Sequence, residues 1–168
     1  MDKKKSLDWL PVVIVASVIL LFLLCLPSMA RADEMEVWIT GGMNSYHNDR
    51  SHNYRENNSG LGVELQYSRD ASVHIGQYQN SFNRTANYVG YSWHPFHYEK
   101  WKFGILWIAT SGYSFGCQNV GDHDKRCTAA RGIIVAPIPE ITYEYKSIGI
   151  TIFIIPTEVT AVQLKFKL

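Results

Sequence analysis

The chain has 168 residues, 13% of them aromatic and 18% charged, and its net charge is +1. A nearly neutral chain without a basic patch is not typical of a protein that binds nucleic acid. The sequence contains no nucleotide-binding glycine loop and no metal-ligand spacing, so we expect neither a cofactor nor a metal site.

The N-terminus has the layout of a secretory signal peptide. Lys3, Lys4 and Lys5 give a positive start, residues 10–26 form an apolar run, and 30–32 read as a small-x-small cleavage site. We therefore expect residues 1–32 to be removed on export, which leaves 33–168 as one small domain. A retained membrane anchor is the alternative, because the run nearly reaches the roughly 20 residues that span a bilayer.

Two cysteines, Cys117 and Cys127, remain after that cleavage. In an exported protein we expect them to form a disulfide. The bond would close a loop of roughly ten residues and contribute about 2–3 kcal/mol through loop-closure entropy.

Eight stretches of the mature chain alternate between apolar and polar residues, which is the period of a β-strand. Long polar segments at 48–59 and 114–130 separate some of them, and tight turns separate others. This pattern predicts an all-β fold, an eight-stranded antiparallel transmembrane β-barrel, with a soluble periplasmic sandwich or lipocalin-like barrel as the alternative. The predicted strands are 36–46, 61–68, 72–82, 86–94, 101–113, 132–145, 148–155 and 161–168.

The segment 139–156 shows the alternation most clearly and carries a proline at each end, Pro139 and Pro156. After the predicted turn, isoleucines occupy every position on one face of the strand, while the opposite face is mixed. This is expected when lipid lies on one side of a sheet and a filled interior on the other. Proline cannot donate to a β-ladder, and an unpaired backbone group in hydrocarbon costs several kcal/mol. The prolines therefore indicate an interruption between two membrane strands, which Pro137 would widen, or they simply mark strand ends near the membrane interfaces. The isoleucine face that follows the predicted turn at Lys146-Ser147 consists of Ile148, Ile150, Ile152 and Ile154.

Several short motifs carry a family resemblance. They are SYH at 45–47, GLGVELQYSRD at 60–70, NSF at 80–82, GYSW at 90–93, and the two prolines of 139–156. In their order and spacing these motifs resemble the PagP family of outer-membrane lipid A palmitoyltransferases, over nearly all of the mature chain. The family's N-terminal amphipathic helix is missing here, and the loop after His47 is shorter.

The resemblance implies a catalytic site at the extracellular mouth of the barrel, built from His47, Ser81 and Asn80. The family has an aspartate where Asn80 stands. If that aspartate orients the histidine as in a serine-protease triad, asparagine could cost about four orders of magnitude in rate. Asp49 or Glu56 could orient His47 instead, and the family aspartate could have another role. His52 is a competing assignment for the histidine.

The resemblance also suggests residues that bind substrate. Ser92 stands where the family has a glycine at the floor of its acyl pocket, so we expect a chain shorter than palmitate. Independently of the resemblance, the charges of Arg50, Arg55 and Arg84 make them candidates for binding lipid A phosphates through charge-assisted hydrogen bonds, or they are ordinary loop charges. Pro139 and Pro156 would form a lateral gate through which a lipid enters.

The predicted function is transfer of a palmitoyl-like acyl chain from a phospholipid to the lipid A of lipopolysaccharide, by a monomer in the bacterial outer membrane. One alternative is a non-enzymatic barrel, carried for instance by a phage or plasmid, that alters the cell surface. The substitution at Asn80 is its main support. A lipid A deacylase that uses a Ser-His pair is another alternative.

Overall fold

The computed structural model describes residues 35–50, 53–114 and 131–168. They form eight antiparallel strands, paired in chain order and closed into a barrel. The predicted barrel fold is thereby confirmed, whereas the predicted signal peptide and the Cys117–Cys127 disulfide lie outside the described residues. The strands are β1 (Glu36–His47), β2 (Asn57–Gln66), β3 (Ala71–Gln79), β4 (Thr85–Tyr98), β5 (Trp101–Ser114), β6 (Arg131–Tyr145), β7 (Ile148–Ile155) and β8 (Val159–Lys167).

The two ends of the barrel differ in how the strands are joined. At one end, the turn end, tight connections at 67–70, 99–100 and 146–147 link the strands. Glu99 and Lys146 have φ of 53° and 54° there, which is the left-handed conformation of tight hairpins. At the other end, the loop end, lie the connections 80–84 and 156–158 and the longer one after His47. The turn predicted at Lys146-Ser147 is confirmed.

Three predicted strand ends are wrong by three residues or more. The second strand was expected to begin at Leu61 but begins at Asn57, within the predicted polar loop. The third strand was expected to reach Phe82 but ends at Gln79, because the side chain of Asn80 hydrogen-bonds into the following turn. The fourth was expected to end at His94, before Pro95, but continues to Tyr98. A register shift between Trp93 and Phe96 accommodates the proline, since a bulge leaves a residue out of the ladder.

Large apolar side chains cover the outer face of the barrel. Leu61 and Ile75 are 68% and 64% exposed, and the isoleucine face of β7 also points outward. An exposed apolar surface of this extent is unusual for a soluble monomer. Within the described residues, no helix is long and apolar enough to cross a membrane. Other exposed members of this face are Val89, Trp93, Trp107, Val135, Ile150, Val162 and Leu164.

The interior near the turn end is filled by a network of buried charges. Lys165 Nζ lies 2.9 Å from Glu64 Oε2 and 2.7 Å from Glu144 Oε1, and Lys102 Nζ lies 2.6 Å from Glu144 Oε2. His94 Nε2 is 3.1 Å from Glu140 Oε1 in the same region. We call these six residues the polar floor. Because buried charges are tolerated only when paired, the network both fills this half of the barrel and fixes its side chains.

Candidate functional site

Above the polar floor, the loop-end half of the barrel interior is hollow. This barrel cavity has a volume of about 120 Å³. A single water needs roughly 10–15 Å³ of such space, and apolar cavities stay dry or take up hydrocarbon. The wall formed by β5 to β8 is apolar, so the cavity suits a hydrocarbon chain. The apolar residues of this wall are Leu106, Ile108, Ile138, Phe153, Ile155, Val159 and Ala161.

The opposite wall of the barrel cavity is aromatic and rests on glycines. Tyr88 crosses from β4 so that its hydroxyl occupies the space where Gly62 and Gly76 lack a side chain; a Cβ at either position would collide with it. Tyr78 Oη lies 2.9 Å from Tyr113 Oη at the same wall. The glycine-rich second strand therefore makes room for interior tyrosines.

At the bottom of the barrel cavity the lining becomes polar. His74 and Gln163 line it there, and His74 Nε2 is 3.0 Å from Ser72 Oγ. Ser92 lies beside Leu106, its cross-strand partner, and is fully buried. Its hydroxyl has no hydrogen-bond partner. Ser92 is thus next to the cavity wall, without belonging to the residues that line the cavity.

The wall of the barrel is interrupted between β6 and β7. Pairing between these strands runs from Tyr145 and Ile148 to Glu140 and Phe153 and ends there. Beyond that point β6 stays paired with β5, and β7 with β8. We call this interruption the β6–β7 gap. The barrel cavity lies directly behind it, because Ile138, Phe153 and Ile155 line that cavity.

The hydrogen-bonding direction of β6 shows which edge the prolines affect. The backbone N–H of Glu144 points away from β7, since it donates to the carbonyl of Lys100 at 3.1 Å. Successive strand residues point to opposite sides, so Tyr145 faces β7 and forms a hydrogen-bonded pair with Ile148. In every second residue of β6, counted back from Tyr145, the backbone N–H and C=O groups therefore point towards β7.

The prolines stand where the ladder would continue. In the register of the existing pairs, the next two hydrogen-bonded pairs would join Pro139 to Ile154 and Pro137 to Pro156. Proline has no backbone N–H, so three of the four donors that these pairs need are missing. The amino-acid sequence thus accounts for the position of the β6–β7 gap.

His47 is the last residue of β1 and lies at the loop end. Its ring stacks on Tyr54, with 4.4 Å between ring centroids, and its buried Nδ1 has no hydrogen-bond partner. Burial lowers the pKa of His47 below the ordinary value of 6.5, against the opposing influence of Glu56. The ring is therefore neutral at pH 7 and able to accept a proton.

Ser81 lies in the β3–β4 turn and lines the barrel cavity. Its carbonyl accepts a hydrogen bond from the backbone N–H of Arg55 at 3.0 Å, which ties this turn to the loop after β1. Tyr54 adds a second link, because its ring also packs edge-on against Phe82, 5.7 Å between centroids. His47 and Ser81 thus both lie at the loop end and are linked indirectly through Tyr54 and Phe82, but they line different cavities.

Asn80 is fully buried, and its side chain is engaged with the backbone. Oδ1 accepts hydrogen bonds from the N–H groups of Phe82 at 3.1 Å and Arg84 at 2.9 Å. Nδ2 donates to the carbonyl of Gly112 at 2.9 Å. These bonds give Asn80 a structural role in the turn. The same turn carries Arg84, one of the predicted phosphate-binding residues.

A second cavity of about 240 Å³ lies in the loop after β1. Arg50 Nη1 is 2.6 Å from Glu56 Oε1, and the Arg50 guanidinium lies 4.0 Å above the Tyr46 ring. Glu56 Oε1 also accepts from the backbone N–H of His47 at 3.4 Å. The sequence offered Glu56 as a residue that could orient the His47 ring, but its carboxylate contacts the backbone N–H of His47 and not the buried Nδ1. The sequence gave no signal for this loop cavity. Its lining residues are His47, Asp49, Arg50, Asn53, Tyr54 and Glu56.

Among the residues that the structure describes, no cluster of three or more His, Cys, Asp or Glu could hold a metal ion. Comparison with family models and with curated proteins found no match. Among solved structures, the fold is similar to the Yersinia pestis outer membrane protein Ail in a phospholipid bilayer nanodisc. The TM-score is 0.44 at 12% identity, over 80% of this chain and 100% of that chain. This similarity is too low to transfer any property of that protein to this chain.

Proposed function

We propose that this protein is a bacterial outer-membrane barrel that binds a lipid acyl chain in its interior and transfers that chain to lipid A. The observation that carries the proposal is the apolar barrel cavity directly behind the β6–β7 gap. Interiors of membrane barrels are ordinarily polar, because they hold water or a plug of polar side chains. A hydrocarbon-lined interior with a lateral interruption indicates a lipid substrate.

The outer face supports the membrane location. Its side chains are apolar along the strands, and aromatic residues gather near the turn end, where a membrane barrel has an interfacial girdle. A closed barrel also leaves no unpaired sheet edge in lipid apart from the gap, and prolines remove donors there. The exposed aromatic residues near the turn end are Trp93, Phe96, Tyr98, Trp101, Phe103, Tyr145 and Phe166.

In the proposed reaction the acyl chain enters through the β6–β7 gap and its ester reaches the mouth. Ser81 lines the barrel cavity and supplies a hydroxyl. His47, through its unpartnered Nδ1, takes the proton of that hydroxyl as it attacks the ester carbonyl, and returns the proton to the glycerol oxygen of the lysophospholipid that leaves. A lipid A hydroxyl then attacks the acyl-serine, which passes the chain to lipid A and restores the Ser81 hydroxyl. Arg50 and Arg84 at the loop end are the candidates for binding lipid phosphates. Ser92, packed beside the cavity wall, would limit chain length, so Ser92→Gly should lengthen the preferred chain.

Mass spectrometry of lipid A tests the activity directly. Lipid A from cells that express the protein should gain one acyl chain relative to cells without it. The Ser81→Ala and His47→Ala variants should abolish that gain while the barrel still folds. Ser59→Ala is the matched control, because Ser59 is exposed on β2 away from both cavities. Full activity of either site variant would contradict the assignment of these residues.

A second candidate function is a non-enzymatic surface barrel, which Asn80 favours. Its buried side chain is bound to three backbone groups, so it is not available to orient His47. The same mass spectrometry separates the candidates. Unchanged lipid A supports the non-enzymatic barrel, and the loss of an acyl chain supports a lipid A deacylase.

A further inference from the structure

The loop cavity differs from the barrel cavity in its chemistry. Two carboxylates, Asp49 and Glu56, and one guanidinium, that of Arg50, line it. With His47 neutral, this lining carries a net charge of −1. An anionic ligand would therefore be opposed by the carboxylates, whereas a ligand with both a negative and a positive group matches both kinds of side chain.

The loop cavity also lies next to the barrel cavity. Ser45 of β1 lines the barrel cavity, and His47, two residues further on the same face of that strand, lines the loop cavity. Tyr54 connects them, since it lines the loop cavity and packs against Phe82 beside Ser81. The two cavities therefore lie side by side at the loop end, which is the arrangement that a lipid with its chain in the barrel and its headgroup in the loop would need.

We infer that the loop cavity binds the zwitterionic headgroup of the acyl donor, a phosphate ester that ends in a primary ammonium group, as in phosphatidylethanolamine. The inference rests on the proposed function and specifies the donor. It assigns the phosphate to Arg50 and the ammonium group to Glu56 and the Tyr54 ring.

The contacts of these residues fit that assignment. The Arg50 guanidinium has five N–H donors, and its Nη1 contacts Glu56. The same guanidinium can therefore also donate to a phosphate oxygen. Tyr46 lies under the guanidinium plane and holds it in place. Glu56 is anchored by Arg50 and by the backbone N–H of His47, which fixes a carboxylate in the cavity lining that it shares with Tyr54. A carboxylate and an aromatic face together are a suitable environment for an ammonium group.

Competition between two donors tests the inference. The full-length barrel in detergent is offered equal amounts of dimyristoyl phosphatidylethanolamine and dimyristoyl phosphatidylglycerol, with differently isotope-labelled chains and lipid A as acceptor. Native mass spectrometry gives the ratio of the bound donors, and the label in the product gives the ratio of the transferred chains. We expect the ethanolamine lipid to be favoured about threefold to fivefold, the effect of one partly exposed ion pair.

Glu56→Gln should bring this ratio close to one, because it removes the partner of the ammonium group. Glu158→Gln is the matched control. It removes a neighbouring carboxylate whose charge raises the pKa of His47 but which does not line the loop cavity. A carboxylate that merely holds the loop in shape would lower the binding of both donors and leave the ratio unchanged.

Equal binding of the two lipids by the wild type, or a ratio that Glu56→Gln does not move, would overturn the inference. Failure of the proposed function looks different. If the ethanolamine lipid is retained and Glu56→Gln abolishes that preference, but no chain is transferred, the headgroup site stands and the transferase activity does not.

Discussion

At the scale of single residues, Asn80 decides how the β3–β4 turn is held. Its Oδ1 accepts from two backbone N–H groups, and its Nδ2 donates to the carbonyl of Gly112 on β5. A carboxylate could keep the first two bonds but has no donor for the third. The amide at this position is therefore explained by packing, whatever the role of the aspartate in the family that the sequence resembles.

Asn80→Asp should consequently destabilise the barrel and not activate it. The new carboxylate would be fully buried against the Gly112 carbonyl, which costs about 3 kcal/mol. Urea unfolding in detergent micelles measures this loss. Asn83→Asp is the control, because Asn83 lies in the same turn but is exposed. The loss should shrink as the pH falls and the introduced group becomes protonated, since a carboxylic acid can donate. A faster enzyme of unchanged stability would contradict this account.

His47 should impose a pH dependence on acyl transfer. Burial lowers the pKa of His47 in the folded protein. At a pH between that lowered pKa and about 6.5, the unfolded chain therefore binds more protons than the folded chain. The ring stays neutral at pH 7, and transfer should decline only as the pH falls through that lowered pKa. Initial rates at several acidic pH values measure this. In Glu158→Gln the loss of a charge that raises the pKa should shift the decline to lower pH. A rate that does not depend on pH would exclude His47 as the base.

At the scale of secondary-structure elements, β6 and β7 illustrate what a sequence can predict. The alternating isoleucines predicted the outward face of β7, and Pro139 and Pro156 predicted an interruption beside it. Pro137 was expected to widen that interruption, and the register shows how, because it places Pro137 opposite Pro156 in the continued ladder. Register depends on which strands meet, and a single sequence does not fix that pairing.

Locking the β6–β7 gap should stop acyl transfer reversibly. A disulfide between Pro139→Cys and Ile154→Cys would join the two strands at the first position beyond the existing pairs. We expect the oxidised form to lose most of its activity and the reduced form to regain it. The control joins Ile141→Cys to Ile152→Cys, residues that are already paired in the ladder.

Rates before and after treatment with a reductant measure the effect for both pairs. Both proteins should also be compared with the wild type under the same conditions, since the expected Cys117–Cys127 disulfide would respond to the reductant as well. If the gap-locking pair and the control behave alike when oxidised, lipid does not enter between these strands.

At the scale of the whole molecule, the barrel has a filled half and a hollow half. The strands that form them were largely predictable, because inward and outward residues alternate with a period of two. The hollow half was not predictable, since its volume depends on how Tyr78 and Tyr88 pack over glycines of the neighbouring strands. The loop cavity was also missed, because it depends on the course of an irregular loop that brings Arg50, Tyr54 and Glu56 together.

Filling the hollow half should abolish activity without unfolding the barrel. Ala161 of β8 lines the barrel cavity, so Ala161→Trp would place an indole where we expect the acyl chain. In a packed core such a change costs about 1–3 kcal/mol, but here the space is open, and we expect little loss of stability or a small gain. Ala109→Trp is the control, because Ala109 alternates with the inward Ile108 and faces outward. Acyl transfer and urea unfolding should be measured on both variants. Wild-type transfer by a stably folded Ala161→Trp barrel would show that the chain is bound elsewhere.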